Sequence, residues 1–159
     1  MAALILTGTV VILFLADMLT KSYVEKHVKE NEERRILKAK VIVRKVYNEG
    51  MALSVLGKHP KLVAKISLAT GVASSIYFGW LLEKKGRLIE KFAMVFILGG
   101  GFSNTYDRLF KKKVTDYISF PCKRWKKFER LTFNLGDFFL FAGAILAIFA
   151  SVIKCGKSK

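Results

Sequence analysis

The sequence predicts an all-α membrane protein, with four transmembrane helices carrying a small sheet at one membrane surface. Three observations lead there. The 159 residues are 52% hydrophobic with a mean hydropathy of +0.31, too apolar for an ordinary water-soluble chain of this size. Four apolar runs stand out, at about residues 2–19, 62–82, 92–110 and 138–153. The two long loops, after the first and third runs, each hold a short stretch rich in β-branched residues. The length fits one integral-membrane domain over residues 1–159.

The first run is expected to be a retained helix rather than a cleaved leader. Met1 is followed by no basic residue, and no small-x-small site precedes Asp17. Asp17 and Lys21 end it at i, i+4 spacing, which suits an ion pair. In the loop that follows, residues 36–47 read as a strand, with Val41 and Val43 flanking Ile42, and Asn48-Glu49-Gly50 as a turn. The second run is long enough to span a bilayer. The third carries Gly99, Gly100 and Gly101, where another backbone can approach closely. Beyond it, residues 114–120 form a second strand candidate bounded by Pro121. Residues 122–130 mix Trp125 and Phe128 with five basic residues, a composition suited to lipid head groups. The fourth run is short for a span and needs a thin bilayer or help from its flanks.

Four alternating spans would bring the end of the first, the start of the second, the end of the third and the start of the fourth to one membrane face. The four aspartates then become informative, because a carboxylate near membrane depth costs several kcal/mol unless it is paired or used. Asp17, Asp107 and Asp137 all lie at that face. Asn104 and Asp107 are spaced i, i+3, as are Asn134 and Asp137, so each carboxylate has an amide beside it. This is read as a two-aspartate hydrolytic site. Asp116, in the second strand candidate, is read as a surface or loop-fixing group.

The net charge of +16 raises a nucleic-acid reading, with residues 111–113 and 123–130 as the patch. Anionic lipid head groups satisfy the same electrostatics, so no nucleic-acid partner is expected. Cys122 and Cys155 fall on opposite sides of the membrane in this topology, so no bridge between them is expected. His27 and His59 have no spaced ligand partner, so no metal site is expected.

In chain order the motifs are Asp17-Met18-Leu19-Thr20-Lys21, Asn48-Glu49-Gly50-Met51-Ala52-Leu53-Ser54, Gly99-Gly100-Gly101-Phe102-Ser103-Asn104-Thr105-Tyr106-Asp107-Arg108, Val114-Thr115-Asp116-Tyr117-Ile118 and Phe133-Asn134-Leu135-Gly136-Asp137. Together, across nearly the whole chain, they resemble lipoprotein signal peptidase, the type II signal peptidase of bacteria. The resemblance implies a membrane aspartyl protease that cuts a prolipoprotein signal peptide just before a diacylglyceryl-modified cysteine. It implies a monomer without a cofactor in the bacterial inner membrane, among membrane lipids, with the active site and a β-cradle on the extracytoplasmic face. Carried over, the catalytic pair is Asp107 and Asp137. Asn48, Gly50, Asn104, Arg108, Asn134, Asp17 and Lys21 become substrate-binding or supporting residues. The chain departs from the family's usual residues at Ser103 (usually glycine), Gly136 (usually alanine) and Leu53 (usually phenylalanine). These swaps bear on substrate fit more than on chemistry.

The charge of the loops opposes that orientation. The long loops hold 10 Lys/Arg between residues 26 and 61 and 8 between 111 and 130, against 7 on the other face. This is the reverse of the positive-inside bias. On chemistry, one carboxyl must be ionised to activate water and the other protonated. The helix dipole favours Asp137 as base and Asp107 as acid, by only about 0.3–1 kcal/mol, which Arg108 could reverse. Two other functions stay open: a paralogue that binds lipoproteins or signal peptides without cutting, and a small transport protein. The structural alternative for the aspartates is a set of helix-end ion pairs.

Overall fold

The computed structural model describes residues 1–30, 32–38, 40–50, 56–121 and 131–156. Four helices dominate: α1 (Ala2–His27), α2 (Pro60–Glu83), α3 (Leu88–Tyr106) and α4 (Leu135–Gly156). The three strands β1 (Glu33–Ile36), β2 (Val41–Asn48) and β3 (Val114–Ser119) form an antiparallel sheet in the order β1-β2-β3. Leu4, Ile5, Ile12 and Leu19 of α1 and Ile145, Ile148 and Val152 of α4 are exposed, whereas Asp17, Lys21, Asn104, Asp107 and Asn134 are buried. Apolar side chains outside and charged ones inside are what a lipid solvent selects.

Three helices, α1, α2 and α4, are long and apolar enough to cross a membrane. α3 is not among them. It carries three glycines, Ser103 and Asn104, and it packs against α1, α2 and α4. Its lower apolarity fits a helix that meets protein on several sides. The glycines set the spacing: a β-carbon built at Gly99 would lie 2.6 Å from Leu13 Cβ, and one at Gly100 would lie 2.2 Å from the Gly136 carbonyl oxygen. Close approach to α1 and to α4 thus depends on adjacent residues of one helix. Leu6, Val10, Phe78, Leu81, Met94, Val95 and Leu98 fill the space between α1, α2 and α3.

Two boundaries differ from the sequence expectation. α4 starts at Leu135, before the apolar run, so the short fourth helix gains length. The expected strand at residues 36–47 is two strands, because Leu37 and Lys38 both adopt positive φ (49° and 54°) and turn the chain. Neither residue type advertises such a turn. Asn48 behaves as expected: its Oδ1 accepts the Gly50 amide at 2.9 Å, a side-chain-made turn. Phe133 then adds a bridge to Ile118 at the β3 edge, which delivers the chain to the start of α4. The head-group segment at 122–130 and the motif residues 51–55, including Leu53, lie outside the described residues.

Candidate active site

The start of α4 is built by a reciprocal cap. Asn134 Oδ1 accepts the Asp137 amide at 2.9 Å, and Asp137 Oδ2 accepts the Asn134 amide at 3.0 Å. This is a capping box, with aspartate in the place usually held by glutamate. The remaining end of Asn134 is also used, since its Nδ2 donates to Asp116 Oδ1 at 2.7 Å. One asparagine therefore clasps two carboxyl groups. Asp137 Oδ1 accepts from Asn104 Nδ2 at 2.9 Å, and Asp116 Oδ2 accepts from Asn48 Nδ2 at 3.3 Å. Burial, and then the nearby Asp137 carboxylate, push the Asp116 carboxyl up to about 7.

Both carboxyl groups line a cavity of about 540 Å³, together with Asn48, Asn104 and Arg108. Apolar residues such as Ile97, Phe102 and Leu140 form much of its wall. On α2 the wall is small and polar, with Ser67, Thr70, Gly71 and Ser74. Arg108 donates to the Asn104 carbonyl and to the Gly50 carbonyl, each at 3.3 Å, which ties the third motif to the second.

Asp107 is elsewhere. Its side chain is fully buried, with Lys21 Nζ 3.1 Å from Oδ2 and Lys111 Nζ 3.1 Å from Oδ1. It does not line the cavity. The structure does not bring Asp107, expected from sequence to pair with Asp137, to the cavity: two ammonium groups flank its carboxylate, and Asp116 lines the cavity beside Asp137. Asp107, at the end of α3, and Lys111, in the π-helical turn that follows, both meet charged side chains of α1. The equivalence of the two Asn/Asp spacings also dissolves. Asn134 and Asp137 cap each other, whereas the Asn104 side chain turns away from Asp107 to meet Lys21 and Asp137.

Behind the cavity lies a charged stripe. Asp17, Lys21 and Glu25 follow one another on α1; Lys21 Nζ is 2.8 Å from Asp17 Oδ2, and Lys111 Nζ is 2.8 Å from Glu25 Oε1. The pairing of Asp17 with Lys21 matches the ion-pair reading, and its burial gives it reach: Lys21 Nζ also donates to Asn104 Oδ1 at 2.8 Å and to Ser103 Oγ at 3.0 Å. Tyr117 Oη donates to Asp17 Oδ1 at 3.3 Å and accepts the Leu135 amide at 3.1 Å. Asp116, Ser103 and Tyr117 were missed from sequence. An aspartate in a β-branched strand was a signal for the first, because strands disfavour that residue.

The sequence profile of signal peptidase (SPase) II matches residues 9–153. This chain belongs to the signal peptidase II family. Among its relatives, the lipoprotein signal peptidase of Paraburkholderia phymatum is 32% identical over 143 residues, covering 89% of this chain and 84% of the relative. That of Shewanella oneidensis is 31% identical over 144 residues, covering 89% and 82%. A solved bacterial membrane enzyme shares the fold with a TM-score of 0.81 at 20% identity, covering 97% of this chain and 91% of that one. Ser103 and Gly136 meet at one place, the carboxylate of Asp17.

Proposed function

We propose that this chain is an aspartic endopeptidase that removes signal peptides from prolipoproteins, with Asp116 and Asp137 as the reacting carboxyl groups. The observation that carries the reading is the clasp of both by Asn134 at the edge of one cavity. Peptide hydrolysis needs an ionised carboxylate and a protonated carboxyl within reach of the same water and carbonyl. Asp137, in the first turn of α4, accepts a backbone amide and sits at the positive end of the helix dipole, which suits the anion. Asp116, pushed up to about 7, retains a proton near neutrality.

In the first step Asp137 takes a proton from water as its oxygen attacks the scissile carbonyl, and Asp116 gives its proton to the carbonyl oxygen. In the second, the carbon–nitrogen bond breaks, Asp137 passes its proton to the leaving amine, and Asp116 recovers its own from the collapsing diol. Both groups end as they began. Arg108 and Asn48 are suited to hold substrate carbonyl oxygens at the rim. The apolar wall suits a signal helix and a lipid-modified cysteine arriving from the bilayer, and small residues on α2 allow that helix to come close.

This reading carries the full expected topology: one domain of four spans, with α3 crossing inside the bundle, in the bacterial inner membrane. The sheet and the site then face the extracytoplasmic side, and the protein works as a monomer among lipids without a cofactor. The test is cleavage of a diacylglyceryl-cysteine prolipoprotein by the purified protein, with the cut bond located by mass spectrometry. Product ending just before the modified cysteine, lost in Asp137→Asn, is the expected result. Binding without product would refute peptidase action.

A further inference from the structure

Ser103 and Gly136 converge on the buried carboxylate of Asp17, which does not line the cavity. Ser103 Oγ donates to Asp17 Oδ2 at 2.5 Å, and the same oxygen lies 2.8 Å from Lys21 Nζ. Ser103 Oγ in turn accepts from Lys21 Nζ at 3.0 Å, which closes a three-membered ring of contacts among fully buried side chains. That ring fixes where Asp17 Oδ2 sits. A β-carbon built at Gly136 would lie 2.7 Å from that oxygen, 3.0 Å from Asn134 Oδ1 and 3.1 Å from the Gly100 carbonyl oxygen. Of the three neighbours, Asp17 Oδ2 is the nearest, and it is held on its far side by Ser103 and Lys21. An alanine at 136 would thus push against Asn134, the residue that clasps Asp116 and Asp137.

We propose that Ser103 and Gly136 form one coupled positioning unit: the Ser103 hydroxyl anchors Asp17 in the space a β-carbon would fill at 136, and the missing β-carbon lets Asn134 keep both carboxyl groups in register. Neither residue touches the reacting atoms. Ser103 acts through Asp17 and through Lys21, whose Nζ fixes the Asn104 amide that donates to Asp137. Gly136 acts through Asn134. The assignment of these effects to catalysis rests on the peptidase reading above; the packing claim does not.

The experiment is a double-mutant cycle of Ser103→Ala, Gly136→Ala and the double variant in the full-length purified protein. Both kinetics on a lipid-modified prolipoprotein and thermal unfolding are measured. Residues that share a contact deviate from additivity, whereas independent ones do not. Gly136→Ala alone is expected to lower kcat about tenfold with KM nearly unchanged, since the apolar wall stays in place. In the Ser103→Ala background, where Asp17 can swing aside, the same change is expected to cost no more than about threefold, with a matching recovery of the unfolding temperature. A Gly136→Ala variant that is neutral alone, an additive cycle, or a double variant that does not fold would each overturn the proposal. If no form cleaves, the peptidase reading fails, and the unfolding temperatures still decide whether the two positions are coupled.

Discussion

Replacing Asp116 and Asp107 separately by asparagine distinguishes a reacting carboxyl from a structural one. Asp116→Asn keeps the shape of the side chain and its acceptor for Asn134 Nδ2, so folding is little affected. The new amide meets Asn48 Nδ2, donor against donor, where the carboxyl oxygen had accepted at 3.3 Å; the lost bond costs about 1 kcal/mol. What disappears is the proton donor. General acid–base catalysis contributes roughly 10²–10⁴-fold, or about 3–5 kcal/mol at 1.36 kcal/mol per factor of ten. Asp107→Asn acts differently. Lys21 retains Asp17 at 2.8 Å and Lys111 retains Glu25 at 2.8 Å, so neither ammonium is orphaned and the loss stays below the ~3–5 kcal/mol of a broken buried pair. Its folded fraction is expected to keep kcat within about tenfold of wild type. The assay is single-turnover cleavage of a lipid-modified prolipoprotein, with the folded fraction measured by size exclusion and near-UV circular dichroism. A folded Asp107→Asn protein without activity, beside an Asp116→Asn protein with a tenth or more of wild-type kcat, would refute the assignment.

Four further outcomes follow from named contacts. With Asp116 as the proposed proton donor and its carboxyl pushed from 3.8 up to about 7, kcat should fall as pH rises through about 7, read from a pH–rate profile. The same shift contributes stability that is fully present below about 3.8 and is lost as pH rises through about 7, so Asp116→Asn should flatten that part of a stability–pH curve. Lys21→Met, which takes the ammonium from fully buried Asp17 and leaves Asp107 with Lys111 alone, should cost about 3–5 kcal/mol, whereas Lys111→Met, at a side chain 30% exposed, should cost about 1 kcal/mol or less by denaturant titration. Gly100→Ala should force α3 and α4 apart and cost about 1–3 kcal/mol, while Gly8→Ala, with nothing within 4 Å of its β-carbon, should be neutral or stabilising in thermal unfolding.

The helices were legible because apolar runs are long-range averages that tolerate local exceptions. The start of α4 was less so: Leu135 and Gly136 look like loop, and the cap became readable only when Asn134 and Asp137 were seen to bond each other. The hairpin at Leu37 and Lys38 carried no glycine or asparagine to mark it. Asn48, Asn104, Arg108 and Asp137, from separate motifs, line one cavity, and Asn134 bonds Asp116 and Asp137 beside it. The choice between Asp107 and Asp116 was not readable in the same way. It depends on which carboxyl Lys21 and Lys111 reach, a contact between helices far apart in the chain that local spacing does not report.

The mutual cap of Asn134 and Asp137 makes winding the first turn of α4 and aiming its carboxylate a single event. A molecule whose turn has momentarily frayed has no aimed proton acceptor, however intact the rest of the bundle. Amide exchange at residues 134 and 137 therefore doubles as a count of the molecules ready to react at any instant. A substrate that steadied the turn would slow that exchange and raise its own rate of hydrolysis together.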